Sequence, residues 1–407
     1  MAEPLTAAPP HRGWAGWPAA VRIGILYLAS RVVTTGFFLV AAELSGPASR
    51  FGPDATVGTL AMGWDAWWYA LVAGTGYPTE LPLTADGLVA ENAWAFLPVY
   101  PVLASALSVV LGAWPVAAVT ISLAAGYGAA FVLYRMLRLR LDRAAATWAA
   151  LFFCAGPLAG LFQVAYAESL FLFLLFLALY LVMRRRYGWL YLLIPVMGFT
   201  RPGILAFSLF LALFGIHRWF HRRTDALPGR EIVHIVVLGL LAAGVGFAWQ
   251  GVAAIATGVP GAYLDTELAW RRNWLSDPAP FFVPFEGFVT AASFWPSLWG
   301  WPAPLGLVVL ALLVLGAAAA LLFLPAVRRL GIEIRLWSAS YLLYLLAVFF
   351  PQSSLFRLLV PVSPLWGAFA VPRSPVWRVG VLLAGLVGQW WWIYNMYALA
   401  NMTWQVP

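Results

Sequence analysis

The sequence predicts an all-α, polytopic membrane protein, and three observations predict it. Of 407 residues, 63% are hydrophobic and 10% charged, against roughly 25% charged in soluble globular chains. The apolar residues run in long continuous stretches, whereas a transmembrane barrel alternates apolar and polar positions in short segments. The content of 23 Trp, 27 Phe and 15 Tyr excludes a solvated coil, which is poor in aromatics. A spanning helix needs about 20 mostly apolar residues, so the length accommodates ten or more spans and one or two sizeable loops.

Residues 1–19 are rich in Pro and Ala and are expected to form a disordered cytoplasmic tail ahead of a single transmembrane domain over 20–407. The first apolar segment, 20–43, contains Arg31 and lacks a cleavage-like end, so it reads as a retained span and not a signal peptide. A less hydrophobic stretch, 44–93, follows as the first outer loop. Further apolar segments cover 95–112, 114–134, 144–162, 168–183, 187–200, 203–216, 231–257, 303–324, 336–350, 358–371 and 379–398, with a second outer loop at 258–302.

Short Arg-rich loops stay cytoplasmic. Clusters at Arg135–Arg143, Arg184–Arg186, Arg218–Arg230, Arg328–Arg335 and Arg373–Arg378 therefore mark one side. They agree with Arg12 and Arg22 on that side when 95–112, broken by Pro98 and Pro101 in FLPVYP, is a re-entrant or juxtamembrane element. Eleven transmembrane helices result, with the N-terminus inside and the C-terminus outside. All 24 basic residues are Arg, a bias expected of a GC-rich bacterial gene, and the bacterial plasma membrane is the expected location.

In this topology the outer side carries eleven Asp and Glu against five Arg, and the inner side eighteen Arg against five acids. The net charge of +8 is then a topology signal, and membrane lipids, not nucleic acid, are the implied surroundings. The single Cys154 allows no intramolecular disulfide and sits in an apolar run. The histidines, His11, His217, His221 and His234, all fall inside; His217 and His221 stand four apart without a third ligand and read as a basic juxtamembrane patch. The chain has no P-loop and no GxGxxG, and no Ser/His pair faces the outer side. No cofactor is implied and no metal site is assigned, a divalent cation being left open.

Irregular polar backbone at membrane depth belongs where it lines a cavity, so the outer loops and turns hold the candidate site. GWDAWWYALVAGTGYP, Gly63 to Pro78, places Trp64, Trp67, Trp68, Leu71 and Val72 on one helical stripe, as expected of a helix lying in the membrane interface. Asp65 and Tyr69 stand four apart on an adjacent face; a solvated acid at the start of an anchor helix would look the same. Intramembrane charge is costly and usually functional. Arg31 reads as a buried ion-pair partner ahead of a ligand. Glu168 follows Tyr166 in the turn QVAYAES and suits the positive end of the helix it begins. Arg201 in TRPG, and Arg357 after Gln352 in PQSSLFR, are outer arginines in a chain that keeps its arginines inside. An anionic partner such as phosphate explains them, since Arg offers a bidentate fork; internal pairing with Glu168 or Asp65 is the plainer alternative. In the second outer loop, Asp265, Glu267, Arg271 and Arg272 beside aromatics suit a sugar-binding or lid surface, or a plain interfacial loop.

WDAWWY…GY, FLPVYP, AYAESLF, TRPG and SSLFRLLVP, in this order across most of the chain, resemble the PIG-V family of membrane mannosyltransferases, which have the GT-C architecture. The resemblance implies transfer of mannose, with inversion, from a polyprenyl-phosphate-linked sugar donor to a lipid or glycan acceptor on the non-cytoplasmic face. It places Asp65 on the family's general-base position in the first outer loop, and Glu168 and Arg201 on its Ser-Glu-Ser-like and Thr-Arg positions. Tyr69, Tyr166, Gln352 and Arg357 complete the substrate-binding candidates. No second carboxylate adjoins Asp65. A transporter or lipid flippase is the rival class, but matched halves typical of transporters are not evident; a non-catalytic partner of another glycosyltransferase is the third.

Overall fold

Eighteen α-helices in the computed structural model, which describes residue 13, residues 16–275 and residues 281–400, follow the apolar periodicity of the sequence. Most of the proposed N-terminal tail, and Asp277 of the second outer loop, lie outside the described residues. α1 (Ala19–Glu43) is followed by two short helices of the first outer loop, α2 (Val57–Ala61) and α3 (Asp65–Thr75). α4 (Val99–Leu111) begins at Pro98, as FLPVYP suggests, and at 13 residues reaches about 20 Å, short of the ~30 Å hydrocarbon layer. α5 (Trp114–Leu137), α6 (Arg143–Ala155), α7 (Glu168–Met183), α8 (Leu190–Gly198), α9 (Ile204–Phe220) and α10 (Gly229–Thr257) follow. The second outer loop contains α11 (Ala262–Ala269) and α12 (Glu286–Leu298). The C-terminal part adds α13 (Ala303–Phe323), α14 (Pro325–Arg328), α15 (Ile332–Val348), α16 (Leu355–Leu358), α17 (Trp366–Ala370) and α18 (Pro375–Ile393).

Five helices, α1, α5, α10, α13 and α18 with its π-helical extension, are long and apolar enough to cross a membrane, and most other apolar segments are helices of 10–17 residues. The expected all-α fold with long apolar helices is there, but among the described residues five helices, not eleven, have the length of a span. Segment 358–371 is not a continuous span: Pro361 and Pro364 place a 3₁₀ stretch, Val360–Leu365, before the single turn and a half of α17, because neither proline donates a backbone N–H.

The two ends of the bundle differ in charge. α7, α9, α10 and α15 each run from an Arg-rich end to the other. At the Arg-rich end, Arg185 after α7 and Arg218 of α9 both pair with Asp225, Arg218 reaches Glu231 of α10, and Arg140 pairs with Glu333 of α15 at 2.9 Å. His217 lies within electrostatic reach of Glu333 and Arg335, so loops assigned to one side by their arginines do meet. The opposite ends of the same helices bear Glu168, Ile204, Trp249 and Leu345, around one cavity.

Close helix approach sets that geometry. Gly126 and Gly128 bring α5 against Tyr27 of α1 and Phe173 of α7, as small residues do between membrane helices. Arg31 is held inside the bundle: it donates to the carbonyls of Ala159 and Cys154 at 2.5 Å each, and stands 5.1 Å from the Tyr27 and Phe162 rings. Among the described residues no acid pairs with it, so backbone carbonyls stand where an ion-pair partner was expected, and it is not part of the cavity lining.

Candidate active site

The interfacial Trp stripe is split by the backbone. Trp64 precedes α3 with φ 54°, a left-handed conformation costing a non-glycine residue about 1–3 kcal/mol. Its indole turns inward, donates to the Met396 carbonyl at 2.9 Å, and packs edge-on against Phe51. Trp67 faces out, and Trp68 stacks on Phe96 at 5.4 Å. Gly63 is needed before this turn because a Cβ there would collide with the Phe51 ring. The strained start determines where α3 begins, and so where Asp65, its first residue, points.

Asp65 accepts a hydrogen bond from the Arg357 guanidinium, which also lies 3.2 Å from Glu168 Oε1. Arg201 approaches the same Glu168 oxygen at 3.4 Å. Two carboxylates and two guanidiniums thus form one neutral cluster, drawn from α3, the start of α7, the TRPG turn and α16. In TRPG, Gly203 takes φ 135°, a region that favours glycine, and the Phe199 carbonyl accepts the Val99 N–H at 3.1 Å. FLPVYP is therefore a bracket for the arginine turn. Tyr166 lies under Arg357, with its ring 5.4 Å from the guanidinium carbon. Its backbone carbonyl accepts from Ser122, whose hydroxyl also meets the Tyr100 hydroxyl at 2.9 Å.

Asp65, Arg201 and Arg357 face a cavity of about 540 Å³, together with Tyr69, Glu267, Arg271 and Gln352. That volume is in the range of small-molecule sites. The apolar wall comes from Phe96, Leu205, Trp249, Tyr341, Leu345 and neighbours. The second outer loop forms the roof and is tied to the first: Asn92 donates to Thr266 at 2.8 Å, Asn273 to Glu91 at 2.6 Å, and Arg272 to the Val89 carbonyl. Gln352 accepts from the Trp274 indole at 2.5 Å, and Arg271 pairs with Glu286 at 2.6 Å.

Burial raises the Asp65 carboxyl above the ordinary carboxylate range; Arg357 opposes the shift and Glu168 reinforces it. Burial works against the Arg357 charge too, but Asp65 and Glu168 outweigh it and raise its pKa. Burial also pushes Glu267 up to about 7, while its hydrogen bond with Tyr263 and the nearby Arg271 lower it. Tyr69 is raised by burial and by the neighbouring carboxylates, so its phenol stays a neutral donor. A carboxylate whose pKa is raised by burial is a better proton acceptor than an ordinary one.

Five of the seven sequence-derived site residues, Asp65, Tyr69, Arg201, Gln352 and Arg357, meet in this cavity. Tyr166 and Glu168 do not line it. Both are almost fully buried behind Arg357, because the aromatic face and the shared carboxylate oxygen hold the two arginines in place. Internal pairing, the plainer alternative, is seen at both arginines: Arg201 with Glu168, and Arg357 with Asp65 and Glu168. Of the four second-loop residues read as a sugar-binding or lid surface, Glu267 and Arg271 line the cavity and Asp265 and Arg272 do not. The signal for Glu267 was its i, i+4 spacing from Tyr263 on the short helix α11, with Arg271 in the 3₁₀ turn that follows. Among the described residues no group of three or more His, Cys, Asp or Glu is placed to hold a metal ion.

No curated protein matches the chain at a significant level. The family model described as Mannosyltransferase (PIG-V) matches residues 58–250, from α2 to the cavity-lining part of α10. Asp65, Glu168 and Arg201 all lie within that match, while Arg357 and Glu267 lie beyond it. Over residues 58–250 the chain is similar to that family, and five of its helices are long and apolar enough to cross a membrane.

Proposed function

We propose that the chain transfers mannose, with inversion, from a polyprenyl-phosphate-linked donor to a hydroxyl of a lipid or glycan acceptor, at the non-cytoplasmic face of a bacterial plasma membrane. The observation that carries the reading is Asp65: a raised carboxyl on a cavity wall, oriented by Arg357, within the segment that matches the family. The acceptor oxygen attacks the anomeric carbon from the face opposite the leaving group. Asp65 takes the hydroxyl proton, and the carbon–oxygen bond to the lipid phosphate breaks with its electron pair going to the phosphate. Arg201, on the cavity wall, stabilises the charge that grows there. Arg357 orients Asp65 first and adds positive potential second. Tyr69 and Gln352 offer hydrogen bonds to sugar hydroxyls.

The test uses purified full-length protein in lipid nanodiscs with polyprenyl-phosphate-mannose and a panel of lipid and glycan acceptors. Mannosylated acceptor and released polyprenyl phosphate are expected together. Asp65→Asn should lower turnover by about 10²–10⁴-fold, the scale of general-base catalysis, with donor binding kept. Turnover near that of the parent in Asp65→Asn would remove the base assignment, and donor that is bound and moved without bond cleavage would point to a transporter.

A further inference from the structure

The Arg-rich end of the bundle has a hollow of its own. A groove of about 610 Å³ is lined on α9 from Ser208 to Phe220, on α10 from Ile232 to Ala243, and by Leu227 of the loop between them. It is separate from the cavity: Leu205 packs onto Gly246 between the two, so closely that a Cβ on Gly246 would collide with it. The groove lies on the side of that contact toward the Arg-rich end.

Its length is that of one leaflet. α10 runs Gly229–Thr257, so Ala243 is its midpoint, and the stretch from Ile232 to Ala243 covers about 17 Å of helix axis. The hydrocarbon layer is ~30 Å thick, so the groove occupies the half of the membrane at the Arg-rich end. Its surface suits an alkyl chain. The hydroxyl of Ser208 is spent on the Gly239 carbonyl at 2.8 Å, and Ile216, Trp219, Val236 and Leu240 are exposed.

The mouth is cationic, and its acids are already engaged. Asp225 is held by Arg185 and Arg218, and Glu231 by Arg218 and the Tyr187 hydroxyl at 2.8 Å. Arg222, Arg223 and Arg230 are exposed, and among the described residues no Asp or Glu pairs with them. Arg222 lies over the ring of Trp219 at 4.2 Å, and Trp219 lines the groove, so one guanidinium is held at the edge of the apolar surface. A free phosphate leaves the apolar wall unfilled, and a lipid without net charge leaves the three arginines unmet. A molecule with an alkyl chain and an anionic head answers both.

We infer that the groove is a site for an anionic phospholipid of the leaflet at the Arg-rich end, with an acyl chain between α9 and α10 and the head group at Arg222, Arg223 and Arg230. The site is apart from the transfer cavity and does not rest on the donor chemistry proposed above. Its lipid completes the packing of α9 against α10 over the half where the groove separates them.

The test is native mass spectrometry of the full-length protein released from detergent, titrated with phosphatidylglycerol or with phosphatidylcholine of the same acyl chains. An arginine near the surface adds about fivefold to anionic-lipid affinity, so three should make phosphatidylglycerol about 10²-fold the tighter ligand. The triple variant Arg222→Gln, Arg223→Gln, Arg230→Gln changes exposed positions only, and should bind the two lipids within about threefold of each other. Ala212→Trp fills the groove from an exposed position on α9. It should weaken both lipids by about tenfold, the worth of roughly two buried methylenes, and keep the preference. Equal binding of the two lipids by the parent, or an undiminished preference in the triple variant, overturns the head-group assignment. Parent-like binding in Ala212→Trp overturns the groove, and tighter binding of polyprenyl phosphate than of phosphatidylglycerol gives it to another lipid and overturns the assignment as well.

Discussion

The two ends of the bundle handle charge in different ways. At the Arg-rich end most pairs keep an exposed partner, Arg185 and Asp225 with 46% and 48% of their side-chain surface and Arg373 and Asp142 with 88% and 52%, while Arg218 and Glu231, at 5% and 6%, form one buried pair between α9 and α10. Exposed pairs contribute about 0–1 kcal/mol, so Arg185 and Arg373 set orientation more than stability. At the cavity end the side chains of Asp65, Glu168, Arg201 and Arg357 keep 18%, 2%, 9% and 9%, and every one is matched. Removing charge from water costs several kcal/mol per ion. What separates the two ends is placement: at the cavity end the buried charges stand at the wall of a cavity, whereas Arg218 and Glu231 are packed between helices.

The largest effect is expected from Arg357→Ala, which deprives Asp65 and Glu168 of a shared cation. Breaking a buried pair costs about 3–5 kcal/mol, so both thermal stability in detergent and transfer should collapse; an unchanged unfolding midpoint would mean the cluster is less buried than its geometry indicates. Asp65→Asn should separate the two properties. It leaves a neutral hydrogen-bond acceptor for Arg357, so transfer falls by about 10²–10⁴-fold while the midpoint moves little, read on one preparation by activity and melting.

Glu267 gives a smaller, pH-dependent effect. Its carboxyl is raised to about 7 by burial, so the folded state prefers the protonated form. Its contribution to stability is therefore present in full below the ordinary glutamate range and is lost as pH rises through about 7, by roughly 1–3 kcal/mol. Melting between pH 5 and pH 8 should fall in the parent and fall less in Glu267→Gln, which carries the neutral form permanently. A parallel slope in both proteins would assign the pH response elsewhere. The smallest effect belongs to the other end: Arg373→Ala should shift stability by less than about 1 kcal/mol and leave transfer unchanged, and a loss of activity there would undo the division between the two ends.

The helices were legible where one physical signal dominated. Segment 168–183 coincides with α7 because an acid sits at its start, arginines at its end, and nothing between interrupts the apolar run. Segment 358–371 was not, since apolar composition hides what Pro361 and Pro364 do to the backbone. The Trp stripe failed for a local reason: periodicity presumes that Trp64 is helical, and its left-handed φ turns the ring into the core. Asp65, Arg201 and Arg357 were legible as charges out of place in apolar surroundings. Their pairing was not, because composition carries no distance between residues 292 apart in sequence. Glu267 was not set apart from its loop neighbours, for the complementary reason: among other polar residues in an outer loop its charge is unremarkable, and its burial comes from the roof that α11 forms.

The same separation bears on how the protein is made. Asp65 emerges from the ribosome 292 residues before Arg357, and synthesis at about 5–20 residues per second makes that interval tens of seconds. Throughout it the first outer loop carries a carboxylate whose counter-charge has not been synthesised. A chain that stops before α16 keeps its long N-terminal helices but exposes an unneutralised acid at the membrane surface. Quality control that senses uncompensated charge would thus be reading, at Asp65, whether the last third of the protein has arrived.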